Sequence, residues 1–536
     1  MIRQIQKKIM PGFPYWGNLK PTEEMSNNKH KFEDRESEDS FIIREDSKKQ
    51  VEEERCQLRY EKYRLPDGFF LGAAASAWQT EGWTGKQEGQ DSYMDLWYKK
   101  TPELWHNGYG PTIATDFYRR YKEDVALMKE AGLACYRTSI DWSRFIVDYE
   151  NATVSEDAAQ YYDNLIDEMV ESGITPMICL EHYELPAVLF EKYGGWGSKH
   201  VVELFAKYAR EVFKRYSHKV KTFMTFNEPI VVQTRIYLDS VRWPFIQDTK
   251  MAMQWNYNKV LASAMATEIY RNEGFSKDGG KIGIILNPEV CYPRSSAPHD
   301  VRAAEMFDLF FNRIYLDPTI KGDMPEELIT ILKENDCLFE YTEEELATIR
   351  KNTVDSVGIN LYQPVRVKAR ENQWNEETPF HPHRFFDKYD LQGRKMNPHR
   401  GWEIFPRIMY DFGMRIKNEY GNIEWFIAEN GMGVEHEHVN KNATGEIQDD
   451  YRIEFIREHL RWLLKAVEEG SNCIGYMLWA FTDNVSPQNA FKNRYGLVEI
   501  NLEDNRNRRL KKSGRWYREV SESRVFEAES FEFEYK

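Results

Sequence analysis

Two glutamates stand where side chains could do chemistry. Thr225-Phe226-Asn227-Glu228-Pro229 closes an apolar run that begins at Phe223. Far downstream, Trp425-Phe426-Ile427-Ala428-Glu429-Asn430-Gly431 repeats the arrangement. In each, an apolar stretch of strand character delivers a glutamate beside an asparagine, and Pro229 or Gly431 ends it. Two carboxyl groups at the same end of two buried parallel strands would face one bound molecule. General acid/base action by one and nucleophilic action by the other is what chemistry on a sugar requires. Either stretch alone reads equally well as a buried strand that turns.

Such a pair needs a scaffold of parallel strands, and the sequence supplies one. Strand-like runs fall at 68–75, 134–141, 175–182, 221–227, 281–287, 356–362, 423–429 and 475–482. Helical periodicity fills the gaps. Examples are 158–172, with Tyr161, Leu165, Ile166 and Met169 on one face, and 450–468, with Ile453, Ile456, Leu460 and Leu463. Eight strands alternating with helices and no break in composition predict an α/β fold, a closed (β/α)8 barrel. An open doubly wound sheet is the alternative, but no glycine-rich phosphate fingerprint follows the first strand. In a barrel, polar residues at the C-terminal strand ends converge. Those ends supply Gln79, Arg137, His182, Asn227 with Glu228, Asn287, Asn360 with Tyr362, Glu429 and Trp479.

Residues 1–62 differ from the rest: 25–56 are crowded with charge and show little apolar periodicity. They read as an extension outside the barrel core, with residues 63–536 forming the catalytic domain. The extension is a candidate for packing on the barrel, for a contact in a homo-oligomer, or for translation from an upstream start. The 536-residue chain has a net charge of −15 and a sequence pI near 5.5, which argues against a nucleic-acid partner. No apolar stretch approaches the length of about 18 residues needed to span a membrane, and no signal peptide opens the chain. Six scattered cysteines without CxxC spacing read as free thiols, not as a zinc site or disulfide framework. These features predict a cytoplasmic protein.

The strand ends resemble, in order, those of the family 1 glycoside hydrolases, the β-glucosidase and 6-phospho-β-glycosidase family. The matching stretches are FFLGAAASAWQTEG (69–82), YRTSIDWSR (136–144), HYELP (182–186), YGGW (193–196), TFNEP (225–229), NLY (360–362) and AENGMG (428–433), together with 479–496. The likeness runs from about Leu65 to Val520. It implies a retaining glycosidase on a TIM barrel with no metal or organic cofactor. Glu228 would be the acid/base and Glu429 the nucleophile, roughly 5–5.5 Å apart. Arg137 and Tyr362 would orient Glu429 and hold it ionised, and the charge of Glu429 would raise the pKa of Glu228. Gln79, His182 and Asn227 would bind sugar hydroxyls, and Trp479 would lie under the ring.

The segment after the eighth strand bears on which sugar is bound. Family members acting on plain glucosides resemble one another in a glutamate that binds the 4- and 6-hydroxyls. Here the matching position is Ser486, followed by Pro487. A carboxylate would repel a 6-phosphate, whereas a hydroxyl with nearby cations binds one. Ser486, Lys492 and Tyr495 resemble the phosphate trio of the phospho-specific members, except that the lysine stands three residues before the tyrosine. The usual place, two before, is Asn493. The small residue at 487 leans towards a gluco-configured substrate. The expected partner is thus a small sugar, a 6-phospho-β-glucoside. A β-glucosidase or β-galactosidase acting on unphosphorylated sugars is the alternative, and a non-catalytic sugar-binding barrel a more distant one.

Overall fold

The computed structural model describes residues 60–531, and the extension expected over 1–62 lies outside them except for its last three residues. Those three belong to a strand, Tyr60–Arg64, that pairs antiparallel with Val525–Glu529 near the other end of the chain.

Eight parallel strands form a closed barrel. They are β1 (Phe70–Ala74), β2 (Cys135–Ser139), β3 (Thr175–Glu181), β4 (Thr222–Asn227), β5 (Lys281–Leu286), β6 (Ser356–Asn360), β7 (Glu424–Asn430) and β8 (Cys473–Trp479). Each pairs with its sequence neighbours, and β8 returns to β1. All eight expected strands are present, each within three residues of its predicted bounds. A helix follows each strand: α1 (Phe117–Glu130), α2 (Glu156–Glu171), α3 (Lys199–Tyr216), α4 (Thr249–Asn272), α5 (Pro298–Asp308), α6 (Ile408–Glu419), α7 (Asp450–Glu468) and α8 (Lys512–Ser523).

Local rules account for the helices. Ser155 caps α2 by accepting from the Ala158 N–H, and Glu156 and Asp157 sit in its first turn, where the helix dipole favours negative charge. The apolar faces of the helices pack on the outside of the strands. Phe205 of α3, for example, stacks on Phe226 of β4 with ring centroids 4.7 Å apart.

The barrel interior is a small, separate core of Cys135, Met177, Cys179, Met224, Ile285, Phe426, Ala428 and Met477. It fills the lower barrel, so polar side chains occupy the upper end. Two strand irregularities then aim the glutamates. Between β6 and β7, Ile359 pairs with Ile427 but Asn360 with Glu429, which leaves Ala428 as an extra residue. Strict alternation would turn Glu429 away from the interior that Ala428 faces, and the bulge turns it back in. A similar slip separates Met224 from Asn227 on β4. There Met224 points inward, Thr225 and Phe226 contact Ser263 and Phe205 on the outer helices, and Asn227 faces the interior again.

Candidate active site

Glu429 is buried at the end of β7 and has two donors. Arg137, wholly buried in the middle of β2, donates Nη2 to Oε1, and the Tyr362 hydroxyl donates to Oε2 at 2.8 Å. The other arm of the same guanidinium, Nη1, donates to Asn227 Oδ1 at 2.7 Å. Asn360 Nδ2 donates to Asn227 Oδ1 at 3.1 Å and to Glu228 Oε1 at 2.9 Å. Tyr183 donates its hydroxyl to Glu228 Oε2. A continuous set of hydrogen bonds thus runs from one glutamate to the other through Arg137, Asn227 and Asn360. Glu228 itself has a left-handed backbone (φ 44°), which turns the chain sharply after β4. For a residue with a side chain that conformation costs about 1–3 kcal/mol, a cost characteristic of functional sites.

The electrostatics follow from burial. Burial pushes the Glu429 carboxyl up to about 7. The Arg137 guanidinium pulls against that rise, the nearby Glu228 carboxyl adds to it, and the hydrogen bonds from Tyr362 and Arg137 lower it again. The two donors therefore favour the anion without fully offsetting the loss of water. Burial, reinforced by the two carboxyl groups, pushes Tyr183 and Tyr362 well above the ordinary phenol range, so both are neutral donors. Burial and then Arg137 hold His182 well below its ordinary value, so it is a neutral imidazole. Its Nε2 lies 3.0 Å from Asn227 Nδ2.

Glu228, Glu429, Tyr183, Asn360, Tyr362 and His182 line one cavity of about 570 Å³ at the C-terminal ends of the strands, and Arg137 and Asn227 hold them by hydrogen bonds without lining it. Gln79 is fixed there from two sides, donating to the Val485 carbonyl and accepting from Ser76, both at 2.7 Å. Trp479 presents its ring beside His182, with centroids 5.8 Å apart. Asn287 lines the cavity, and its buried Oδ1 has no partner among the described residues. Ser486, Pro487 and Tyr495 form the wall nearest the segment after β8.

Lys492 is not part of this wall. It pairs with Glu435 at 3.1 Å, is 41% exposed, and lines a separate surface cavity. The spacing explains the difference. In the turn before Tyr495 it is Asn493 that is buried and faces inward, which leaves the preceding Lys492 facing out. Tyr183, Arg400 and Trp402 are cavity residues that the sequence reading did not single out as site residues. Tyr183 lies inside the HYELP stretch, 182–186. Arg400 and Trp402 sit in an irregular segment between β6 and α6 where no periodicity marks them.

A parallel eightfold barrel with two carboxyl groups, oriented by an arginine and a tyrosine over an aromatic floor, defines a sugar-cleaving site. The model of glycosyl hydrolase family 1 matches residues 61–526, and the chain belongs to that family; it is a glycoside hydrolase. It is 47% identical over 466 residues to the 6-phospho-beta-glucosidase GmuD of Bacillus subtilis, covering 87% of this chain and 99% of the relative. The aryl-phospho-beta-D-glucosidase BglC of the same species is 32% identical, with 85% and 97% covered. Among solved structures, the family 1 β-glucosidase from Thermotoga maritima superposes with a TM-score of 0.77 at 29% identity, covering 86% of this chain and 99% of that one.

Proposed function

We propose that this protein is a retaining 6-phospho-β-glucosidase acting on phosphorylated disaccharides or aryl glucosides. Glu429, ionised and held by Arg137 and Tyr362, attacks the anomeric carbon. Glu228 delivers its proton to the departing glycosidic oxygen. The covalent glycosyl ester removes the charge of Glu429, and Glu228, now a carboxylate, deprotonates the water that releases the sugar. Asn360 and Tyr183 position Glu228 for both proton transfers. Gln79, His182 and Asn227 bind hydroxyls of the ring, which rests on Trp479.

The observation that carries the phosphate reading is Ser486. A neutral hydroxyl lines the cavity where a carboxylate would exclude a 6-phosphate. The relative at 47% identity bears the same specificity in its name. A cytoplasmic location belongs to the same reading, since the five described cysteines are free thiols, four of them buried.

The test compares p-nitrophenyl β-D-glucoside with its 6-phosphate. The expected result is a much higher kcat/KM for the phosphorylated compound. Preference for the neutral glucoside would replace this reading with that of an ordinary β-glucosidase.

A further inference from the structure

Arg400 stands at the tip of a short hairpin in which Met396–Asn397 pairs antiparallel with Trp402–Glu403. Three contacts fix that hairpin from outside. Asn397 Nδ2 donates to the Gly433 carbonyl at 3.0 Å, and Glu403 takes a two-pronged contact from Arg366, with Nη2 at 2.7 Å and Nε at 2.9 Å. The third comes from Asn493, whose Nδ2 donates to the carbonyl of His399, the residue next to Arg400, at 3.3 Å. The Arg400 guanidinium lies over the Trp402 ring, 4.6 Å from its centre, and that ring in turn meets Tyr362. Arg400 Nε donates to the Tyr495 hydroxyl at 2.9 Å.

These contacts leave an unfilled set of donors. Arg400 Nη1 and Nη2 have no hydrogen bond or ion pair among the described residues, and neither has Ser486 Oγ. Tyr495 accepts from Arg400, which frees its own O–H to donate outward. All three residues line the same cavity as Glu228 and Glu429. A planar guanidinium with two free ends beside the Tyr495 hydroxyl, in a cavity that Ser486 also lines, suits an anion with several acceptor oxygens. Lys492, by contrast, is neutralised by Glu435 outside this cavity.

We propose that Arg400, held in place by Asn493, is the cation that binds the 6-phosphate of the substrate, with Ser486 and Tyr495 as hydroxyl donors. This inference rests on the phosphorylated-substrate reading above. It assigns the specificity of the enzyme to a residue on the β6–α6 connection and reduces position 493 to a tether.

The test uses the purified full-length chain and reads one quantity, the ratio of kcat/KM for p-nitrophenyl β-D-glucoside 6-phosphate to that for the neutral glucoside. Arg400→Gln should lower this ratio at least about 30-fold, mostly through KM of the phosphorylated compound. Arg400→Lys, which keeps the charge but loses the fork, should fall between that variant and the wild type. Lys492→Gln should leave the ratio within about twofold. If Arg400→Gln does not fold, Arg400→Lys decides: a ratio lowered threefold or more supports the assignment, and a smaller change overturns it. A wild type that prefers the phosphorylated substrate while Arg400→Gln keeps its ratio, or while Lys492→Gln loses it, overturns the role of Arg400 alone. A wild type that prefers the neutral glucoside overturns the phosphate reading and this inference with it.

Discussion

Tyr362 does two things for Glu429: it fixes one carboxylate oxygen and favours the anion. The Tyr362→Phe variant should therefore lower kcat/KM about 10- to 100-fold, an effect on the scale of one hydrogen bond to a charged group. As the proposed nucleophile, Glu429 must be ionised to attack, and burial pushes its carboxyl up to about 7. The acid limb of kcat/KM should accordingly rise with pH through that value in the wild type, and at higher pH in Tyr362→Phe; a limb that does not move would remove Tyr362 from this role. Glu429→Gln should cost about 10⁴-fold or more in kcat. Ser486→Glu should reverse the preference between phosphorylated and neutral p-nitrophenyl glucosides, because it places a negative charge in the wall proposed to receive the phosphate. At this scale the sequence was informative where order and spacing carry meaning. Glu228, Glu429 and Tyr362 stand at or just past strand ends, and Arg137 stands within its strand, in a fixed succession. It misled at Lys492, because a spacing one residue different turns a side chain out of the cavity.

The elements hold those residues through features that hydrophobic periodicity does not report. The eight strands could be read from their apolar runs, each within three residues of its bounds. The slips that turn Glu429 and Asn227 inward could not, since a bulge changes which residues face the cavity without changing composition. The hairpin bearing Arg400 was equally hidden: its strands are two residues long and its braces come from distant side chains. The segments after β7 and β8 meet at a buried ion network. Lys511 Nζ reaches Glu437 and, at 2.8 Å, Asp483, while Arg452 joins Glu437 to Asp449. Arg452 also donates to the Tyr495 carbonyl at 3.1 Å. Replacing Lys511 with Met would leave Glu437 and Asp483 buried without that cation. It should destabilise the protein by about 3–5 kcal/mol, read as a lower urea midpoint with an unchanged m-value. An unaltered midpoint would show that these segments are held by packing alone.

At the scale of the whole barrel domain, the first and last strands described outside the barrel are tied to each other. Tyr60–Arg64 pairs with Val525–Glu529, the Leu65 N–H donates to the Arg524 carbonyl at 2.9 Å, and the Arg524 side chain donates to the carbonyls of Pro66 and Phe69 at 2.7 Å. The eight barrel strands and the catalytic-site residues named above all belong to the described residues, 60–531. A chain started at residue 59 should thus keep kcat/KM within about twofold of the full chain, whereas one started at Asp67 loses the strand pair and should melt several degrees lower. The same organisation sets the central claim, that side chains distant in sequence are brought together to form and hydrolyse a glycosyl ester on one particular glutamate. Peptide mass mapping after reaction with a 2-deoxy-2-fluoro-β-glucosyl 6-phosphate bearing a dinitrophenolate leaving group tests it most directly. One added 2-fluoroglucosyl 6-phosphate is expected on the peptide containing Glu429. Labelling of the Glu228 peptide instead, or turnover to product of inverted configuration without any label, would contradict it.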